Sequence, residues 1–523
     1  MKKSNKKNAA AMSAVIIIIF TLGSKLLGFV RETLIAYRFG SGIKTDAFVI
    51  ALTATSVLTK LISRAITTTF IPILSEVEAK EGKEGKISHT NNMINIIGLL
   101  GILLALLTWG IAPVLVKLFA SGFKDEQFSL TVQLVRIGAP MVFFDAMMGV
   151  LVGYLHSEQK HSAHAAVGIP FNMVYISFLL FFASTFGITG LMVAGVIGTI
   201  SQVLILLPEL FSTGFKYEFI FDVKDGYVKK AIYLSIPILI GVAITDLNSI
   251  VDKTLGSFLV EGSISALNYA NKLKNLVLSI FISAITTVIY PILSKEFSNK
   301  NMKGVKSIMN YGIDLILLIT IPATVGMVIL AEPIVRVAFQ KGQFDAVATA
   351  MTSQALLFYS ISIVISALRS LVTRVYYSLQ DTRTPTINSA ITVATNIIFN
   401  LILIKPMGHA GLALATSISI TPSTLWMYYK LRYKIGRLGL KSHLMNGSKI
   451  GLISLVMGGV AYFVYHGLFS ILGNGLIATA IALGIAVVLA VIIYVVLCYI
   501  FDINIVRDII NKGINKAKKI IKK

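Results

Sequence analysis

Near the N-terminus, four residues have the types and spacing to hold an anion. Lys25, Gly28, Arg31 and Glu32 follow one another at steps of three, three and one. At 100° per residue they fall within an arc of roughly 120° on one helix face, with Ser24 beside them. The run Val15 to Phe20 just before them is apolar, and no turn signal intervenes. The segment therefore begins as a membrane helix and then places charge at membrane depth, where each charge costs about 3 kcal/mol on insertion scales. Such a cluster must face protein or a water-filled cavity. Gly28, between two cations, is the expected point for the helix to bend or for a ligand to approach the backbone.

A second polar face supports a cavity. Thr53, Ser56, Lys60, Ser63 or Arg64, and Thr67 recur at three- and four-residue steps, and a shift of 219 lands on Lys272, Asn275, Ser279, Ser283 and Thr286. Single hydroxyls in membrane helices commonly bond only to backbone. Two matching stripes that carry Lys60, Arg64 and Lys272 instead suggest opposing walls of a hydrated cleft. Lys25, Arg31, Lys60, Arg64 and Lys272, against Glu32 as the one acid in the first arc, suit a substrate with phosphate or several carboxylates. An exporter of organic cations would need the opposite sign. Asp46 opens the second apolar segment and is expected to orient one of the cations; Glu32 and Asp46 are the gate candidates. Asp252, Asn396, Asn400 and Thr416 offer oxygen ligands for a Na⁺ site or a proton site, so coupling to the membrane potential or a Na⁺ or H⁺ gradient is expected.

Other chemistry is sparse. His156, His161 and His164 share a short loop without acidic partners and are expected to be loop residues. Gly82-Lys-Glu-Gly-Lys86 lacks the spacing of a phosphate-binding loop. No nucleophile–base pair or paired carboxylate occurs at membrane depth, which points to a transporter without cofactor rather than an enzyme.

The elements that carry these residues follow from composition. The chain has 523 residues, 55% hydrophobic and 14% charged, with a mean hydropathy of +0.81. A soluble domain carries nearly twice that charge, so the fold class is all-α polytopic membrane protein. Apolar segments recur at 12–37, 45–71, 91–119, 130–156, 163–185, 188–212, 229–256, 263–293, 304–330, 349–378, 386–405, 411–435, 448–470 and 476–501, fourteen transmembrane helices in all. Pro113, Pro140, Pro170, Pro237, Pro322 and Pro422 offer places to bend. The MKKSNKK start lacks a clear cleavage site, so the first helix is read as uncleaved. Cys498 is the single cysteine, which rules out an intramolecular disulfide. The net charge of +23 lies mostly in alternate loops and in the tail from Arg507 to Lys523, which puts both termini in the cytoplasm and explains the basicity without nucleic acid.

The chain also repeats itself. Phe70-Ile-Pro-Ile-Leu-Ser75 recurs as Tyr290-Pro-Ile-Leu-Ser294. His156-Ser-Glu-Gln159 recurs loosely as Tyr377-Ser-Leu-Gln380, and Gly187-Ile-Thr-Gly190 as Gly408-His-Ala-Gly411. Six spans separate the copies, so the expected architecture is two parallel six-helix lobes around a central cavity, with two further C-terminal helices. The expected domains are 1–222, 223–440 and 441–523, the last holding spans 13 and 14 with a basic cytoplasmic tail.

Several of these stretches resemble a known family. Ser24-Lys-Leu-Leu-Gly28-Phe-Val-Arg31-Glu-Thr, Phe39-Gly-Ser-Gly-Ile-Lys-Thr-Asp46-Ala-Phe48, Tyr269-Ala-Asn-Lys272-Leu and Tyr377-Ser-Leu-Gln-Asp381-Thr-Arg-Thr-Pro385 are similar to the MurJ (MviN) lipid II flippases of the multidrug/oligosaccharidyl-lipid/polysaccharide exporter superfamily. The resemblance implies two lobes around a cavity, and a lipid-facing groove at the last two helices. It also implies translocation of the undecaprenyl-pyrophosphate-linked disaccharide-pentapeptide across the bacterial cytoplasmic membrane for cell wall synthesis, beside other wall synthesis or division proteins. The family's cavity cations match Lys25, Arg31 and Lys272, and its first-loop acid matches Asp46. Lysine for arginine at two of these keeps the charge and loses the bidentate fork. Lys60 stands near the family's span-2 arginine pair, Arg64 is an addition, and Asn400 stands where a cation-site carboxylate is common. The alternatives are a flippase for another polyprenyl-diphosphate oligosaccharide, of O-antigen or capsule type, and a non-transporting scaffold for wall assembly.

Overall fold

A computed structural model of the chain describes residues 2–436, 438–503 and 505–507; the side chains at 2–15, 18, 58, 60–62, 237–238, 240–242, 244–245, 281, 283–284 and 286–288 lie outside the description. Among the described residues every regular element is a helix. In order they are α1 (Lys2–Phe39), α2 (Ile43–Gly110), α3 (Ala112–Phe119), α4 (Asp125–Gly138), α5 (Pro140–Ser157), α6 (Ser162–Ala166), α7 (Gly168–Phe181), α8 (Ala183–Leu204) and α9 (Leu207–Ser212). There follow α10 (Gly226–Gly256), α11 (Ser263–Ser298), α12 (Met302–Ile329), α13 (Ala331–Phe339), α14 (Ala346–Ser360), α15 (Ile363–Ser378), α16 (Arg383–Ile435), α17 (Leu440–Leu472) and α18 (Leu476–Ile500).

Each expected span falls on these helices. The helices do not stop where the spans do: α2 runs through two spans with a kink at Gly82, and α16 through two with a kink at Gly408. By length and apolarity alone, eight helices among the described residues qualify to cross a membrane, or nine if the bent pair α14 and α15 is one span. The remaining expected spans are the first half of α2, one half of α16, and the charge-bearing α1, α10 and α11. Two of the six noted prolines open helices after breaks, Pro113 in α3 and Pro140 in α5, as expected where the missing N–H is an orphan anyway. Pro322 and Pro422 sit inside continuous helices.

The repeat is visible in backbone conformation. Gly187 and Gly408, matched at a shift of 221, both take positive φ, 57° and 56°. At this kink a side chain would be strained, so glycine stands at both copies. Gln159 and Gln380, matched at the same shift, each have φ 58° although neither is glycine. The N–H groups of Lys160 and Asp381 reach back to the carbonyls of Leu155 and Tyr376 at 2.8 and 2.9 Å. One helix-ending motif has thus been kept in both copies.

The chain divides into two compact units, Met1–Ser265 with Lys341–Asp345, and Ala266–Gln340 with Ala346–Lys523. The first unit includes α10, which packs on α2 and α3, so the compact unit extends past the sequence repeat by one span. Its cores are Ile35, Phe48, Val116, Leu134, Met192 and neighbours at one end, and Phe70, Leu74, Val150, Tyr154, Leu206 and neighbours at the other. An extended strap, residues 215–222, lies along α2: Asn91, Asn92 and Asn95 donate to the carbonyls of Lys216, Asp222 and Ile220 at 2.8–2.9 Å. Asparagines on one helix face thereby satisfy strap backbone that no sheet partner serves. In the second unit, α17 packs on α12 and α18, with Tyr494 Oη donating to the Leu318 carbonyl at 2.6 Å. The last two helices thus share the core of the second unit, Ile313, Leu371, Met427, Ile453 and Ala486 among its members.

Candidate functional site

The α1 cluster faces α6 and α7. Gly168 opens α7 so close to α1 that a Cβ there would overlap Ser24 Oγ, and Gly28 lies across from the Asn172 amide, 3.8 Å from where its own Cβ would be. Asn172 Nδ2 donates to the Ser24 carbonyl at 3.1 Å and to the Gly168 carbonyl at 2.6 Å. Ser24 and Gly28 therefore form the helix contact that lets α1 approach α7. Lys25 is half-buried.

One turn on, Arg31 lies over two rings of α7, with its guanidinium carbon 5.4 Å from the Phe171 centroid and 5.2 Å from that of Tyr175. Its Nη2 pairs with Glu32 Oε1 at 2.7 Å. The buried Arg31 Nε, Asn172 Oδ1 and Tyr175 Oη have no hydrogen-bond partner. An unpaired buried polar atom costs about 1–3 kcal/mol, so three on one wall leave it short of acceptors and donors that a ligand could supply. A planar guanidinium resting on a pair of adjacent aromatic rings, with a carboxylate as resident counter-ion, is an arrangement for exchanging one anion for another. Glu32 thus faces Arg31.

The α2 stripe is spent differently. Thr53 and Ser56 donate to the carbonyls of Val49 and Thr53 at 2.7 and 3.2 Å, and Thr67 to that of Ser63 at 2.8 Å. Ser63 packs against Gly149 of α5. These hydroxyls take the backbone role common in membrane helices. Arg64 is exposed, and the Lys60 side chain lies outside the described residues. Asp46 is buried, and its carboxylate accepts from Gly262 N–H at 2.8 Å and Ser265 N–H at 2.7 Å. It caps the N-terminus of α11, where a negative charge also complements the helix dipole. Nearby, Gln343 N–H donates to the Tyr37 carbonyl at 2.9 Å, and Ser41 Oγ lies 2.7 Å from Ser265 Oγ. Three loops of the first unit are clasped there around Asp46.

In the second unit, Lys272 is exposed on α11, where Asn275 Nδ2 donates to Asn271 Oδ1 at 3.2 Å. Ser283 and Thr286 of the expected stripe lie outside the described side chains. Of the expected ion ligands, Asp252 belongs to the first unit and accepts from Asn248 Nδ2 at 3.3 Å. Asn400, Asn396 and Thr416 belong to the second unit and form a chain, Asn400 Nδ2 to Asn396 Oδ1 at 2.8 Å and Asn396 Nδ2 to Thr416 Oγ1 at 3.4 Å. Among the described residues no group of three or more His, Cys, Asp or Glu side chains is placed to hold a metal ion; His164 Nδ1 and His156 Nε2 lie 3.0 Å apart as a pair.

Sequence reasoning missed several polar groups, namely Arg369, Lys274, Asn172 and Tyr175. On α15, Arg369 and Arg374 share with Ser366, Ser370, Thr373 and Tyr377 a pocket of about 330 Å³. Arg374 lies over the Tyr290 ring at 5.6 Å, and Lys274, buried on α11, over that of Tyr359 at 4.8 Å. Asn172 and Tyr175 complete the Arg31 wall. The signal for the cations was present, charges inside apolar segments; for Asn172 and Tyr175 there was none, because their role depends on which helix faces α1.

Known proteins share both the sequence and the fold. Residues 35–473 match the family model described as lipid II flippase MurJ. A probable lipid II flippase MurJ of Rickettsia prowazekii is 28% identical over 442 residues, 84% of this chain and 86% of that protein. One of Vibrio cholerae is 29% identical over 419 residues, 78% of this chain and 80% of that protein. A solved structure titled lipid II flippase MurJ, inward closed conformation, superposes with a TM-score of 0.80 at 25% identity, covering 95% of this chain and all of that one. An inward-facing multidrug transporter of the MATE family shares the fold, with a TM-score of 0.68 at 13% identity over 81% of this chain and 98% of that one.

Proposed function

The chain belongs to the lipid II flippase MurJ family, and from this premise we propose that it moves lipid II from the inner to the outer leaflet of the bacterial cytoplasmic membrane by alternating access. Its role is transport without a catalytic step, it spans the membrane with both termini in the cytoplasm, and its product feeds peptidoglycan synthesis. The observation that carries the reading is Arg31, a guanidinium lying against the adjacent rings of Phe171 and Tyr175, paired to Glu32 through one arm, with its Nε buried and unpartnered. A diphosphate brings several acceptor oxygens and displaces a single carboxylate from such a group. Lys25, Lys60 and Arg64 add cationic charge for the same headgroup, Lys272 gives the second unit a cation of its own for a polyprenyl diphosphate, Asp46 holds the loops that must open, and Glu32 returns to Arg31 when the lipid leaves. The membrane potential, or a Na⁺ or H⁺ gradient acting through Asp252 or the Asn396, Asn400 and Thr416 chain, supplies the drive.

Purified protein, challenged with labelled lipid II and unlabelled polyprenyl diphosphates bearing other sugars, tests the substrate. Preferential displacement by lipid II supports the reading. Equal displacement by O-antigen-type or capsule-type lipids moves the assignment to a broader polyprenyl-diphosphate flippase, and absence of binding turns it toward a scaffold.

A further inference from the structure

A groove of about 820 Å³ lies on the first unit between α2, α4 and α5, lined by Leu106, Trp109, Ser129, Gln133, Arg136 and Phe143 among others. It exists because the span is broken there: α4 ends at Gly138, α5 starts at Pro140, and α2 ends at Gly110. Its size is that of an ordinary small-ligand site, about 300–1,000 Å³.

One end of the groove is polar. Ser129, Gln133 and Arg136 stand at steps of four and three on α4 and share one face. Arg136 is eleven residues into α4, roughly 16 Å from its start at Asp125. Helical side chains lean toward the N-terminus of their helix, here toward the 120–124 turn. Arg136 is exposed, and its guanidinium carbon lies 5.0 Å over the Trp109 ring. Among the described residues it has no carboxylate within ion-pair distance. Arg38 differs, since its guanidinium donates to the carbonyls of Leu179 and Leu180 at 2.9 and 3.1 Å at the end of α7. The α4 carboxyl end favours a cation, but a lipid-facing charge at this depth still needs an anion beside it. The rest of the groove, Leu106 and Phe143, is apolar.

We propose that this groove is a binding site for an anionic phospholipid of the leaflet that meets the 120–124 turn. The lipid phosphate bonds to Arg136, with Gln133 and Ser129 donating along the same face, and an acyl chain lies on Leu106 and Phe143. The site is separate from the α1 wall, and a failure of the lipid II assignment leaves it standing.

The chain has two tryptophans, Trp109 and Trp426, so Trp426→Phe leaves Trp109 as the only reporter. That protein, reconstituted in phosphatidylcholine vesicles, is titrated with brominated phosphatidylglycerol and, separately, with brominated phosphatidylcholine. Quenching of Trp109 is expected to favour phosphatidylglycerol about fivefold, the ratio one basic side chain gives at an anionic surface. Arg136→Gln should bring the ratio to about one with an unchanged Trp109 emission maximum, and Arg136→Lys should keep part of it. Equal quenching by the two lipids, no quenching by either, or a selectivity that survives Arg136→Gln overturns the proposal.

Discussion

Asp46→Asn isolates the clasp at the start of α11. The carboxylate takes two buried backbone donors, Gly262 and Ser265, at 2.8 and 2.7 Å. A hydrogen bond to a charged acceptor contributes about 1.5–3 kcal/mol. Asparagine keeps one oxygen and turns an N–H toward the second donor, so one bond is lost and the other becomes neutral, a change of about 2–4 kcal/mol. The clasp can open locally, so the amides of 262–265 should exchange with deuterium roughly 30- to 700-fold faster, at tenfold per 1.4 kcal/mol. Peptides spanning 258–270 read this by mass spectrometry in detergent, and peptides from α18 should not change. Unchanged exchange at Gly262 and Ser265 would refute the cap, whatever the variant does to growth.

Two further expectations follow from packing and titration. Gly168→Ala should lower the thermal midpoint, because the new Cβ meets Ser24 Oγ and overpacking costs about 1–3 kcal/mol; Ser24→Gly in the same chain should restore most of it, and simple addition of the two effects would argue against the contact. Burial alone would raise the Asp381 carboxyl, but the Lys434 ammonium and the Thr384 hydroxyl and N–H outweigh it and hold it at about 2, against an ordinary 3.8. The folded value is depressed, so the stabilising link is full above the ordinary value and is lost as pH falls through about 2. A carboxyl-carbon NMR titration of aspartate-labelled protein should show that midpoint near 2, moving toward 3.8 in Lys434→Met; a native midpoint near 4 would contradict the pairing.

How much was legible varied with the kind of interaction. The duplication was read from short matched strings, and the structure shows why they persist: Gly187 and Gly408 hold kinks, and Gln159 and Gln380 end helices in the same left-handed turn. Apolar runs located the helices, because lipid requires backbone bonds to close within each segment. What periodicity could not supply was the neighbour. It placed Ser24, Gly28 and Arg31 on one face, and only the structure shows that this face meets α7, where the first two pack closely and the third lies over its rings. Asp46, expected to orient a cation, feels the charge of Lys253, and its carboxylate is also held by backbone N–H groups, partners that no side-chain pattern announces. Arg136, Arg369 and Lys274 were visible as charges within apolar segments, and only the helices packed beside them showed what they face.

The most direct test of the central claim is rescue of lipid II export in cells depleted of their own flippase by this chain and by its Arg31→Ala and Lys272→Ala variants, at equal membrane levels. The unmodified chain is expected to restore growth and lipid II exposure on the outer leaflet, both alanine variants to abolish them, and Arg31→Lys to recover only part. Full export by both alanine variants would contradict the claim.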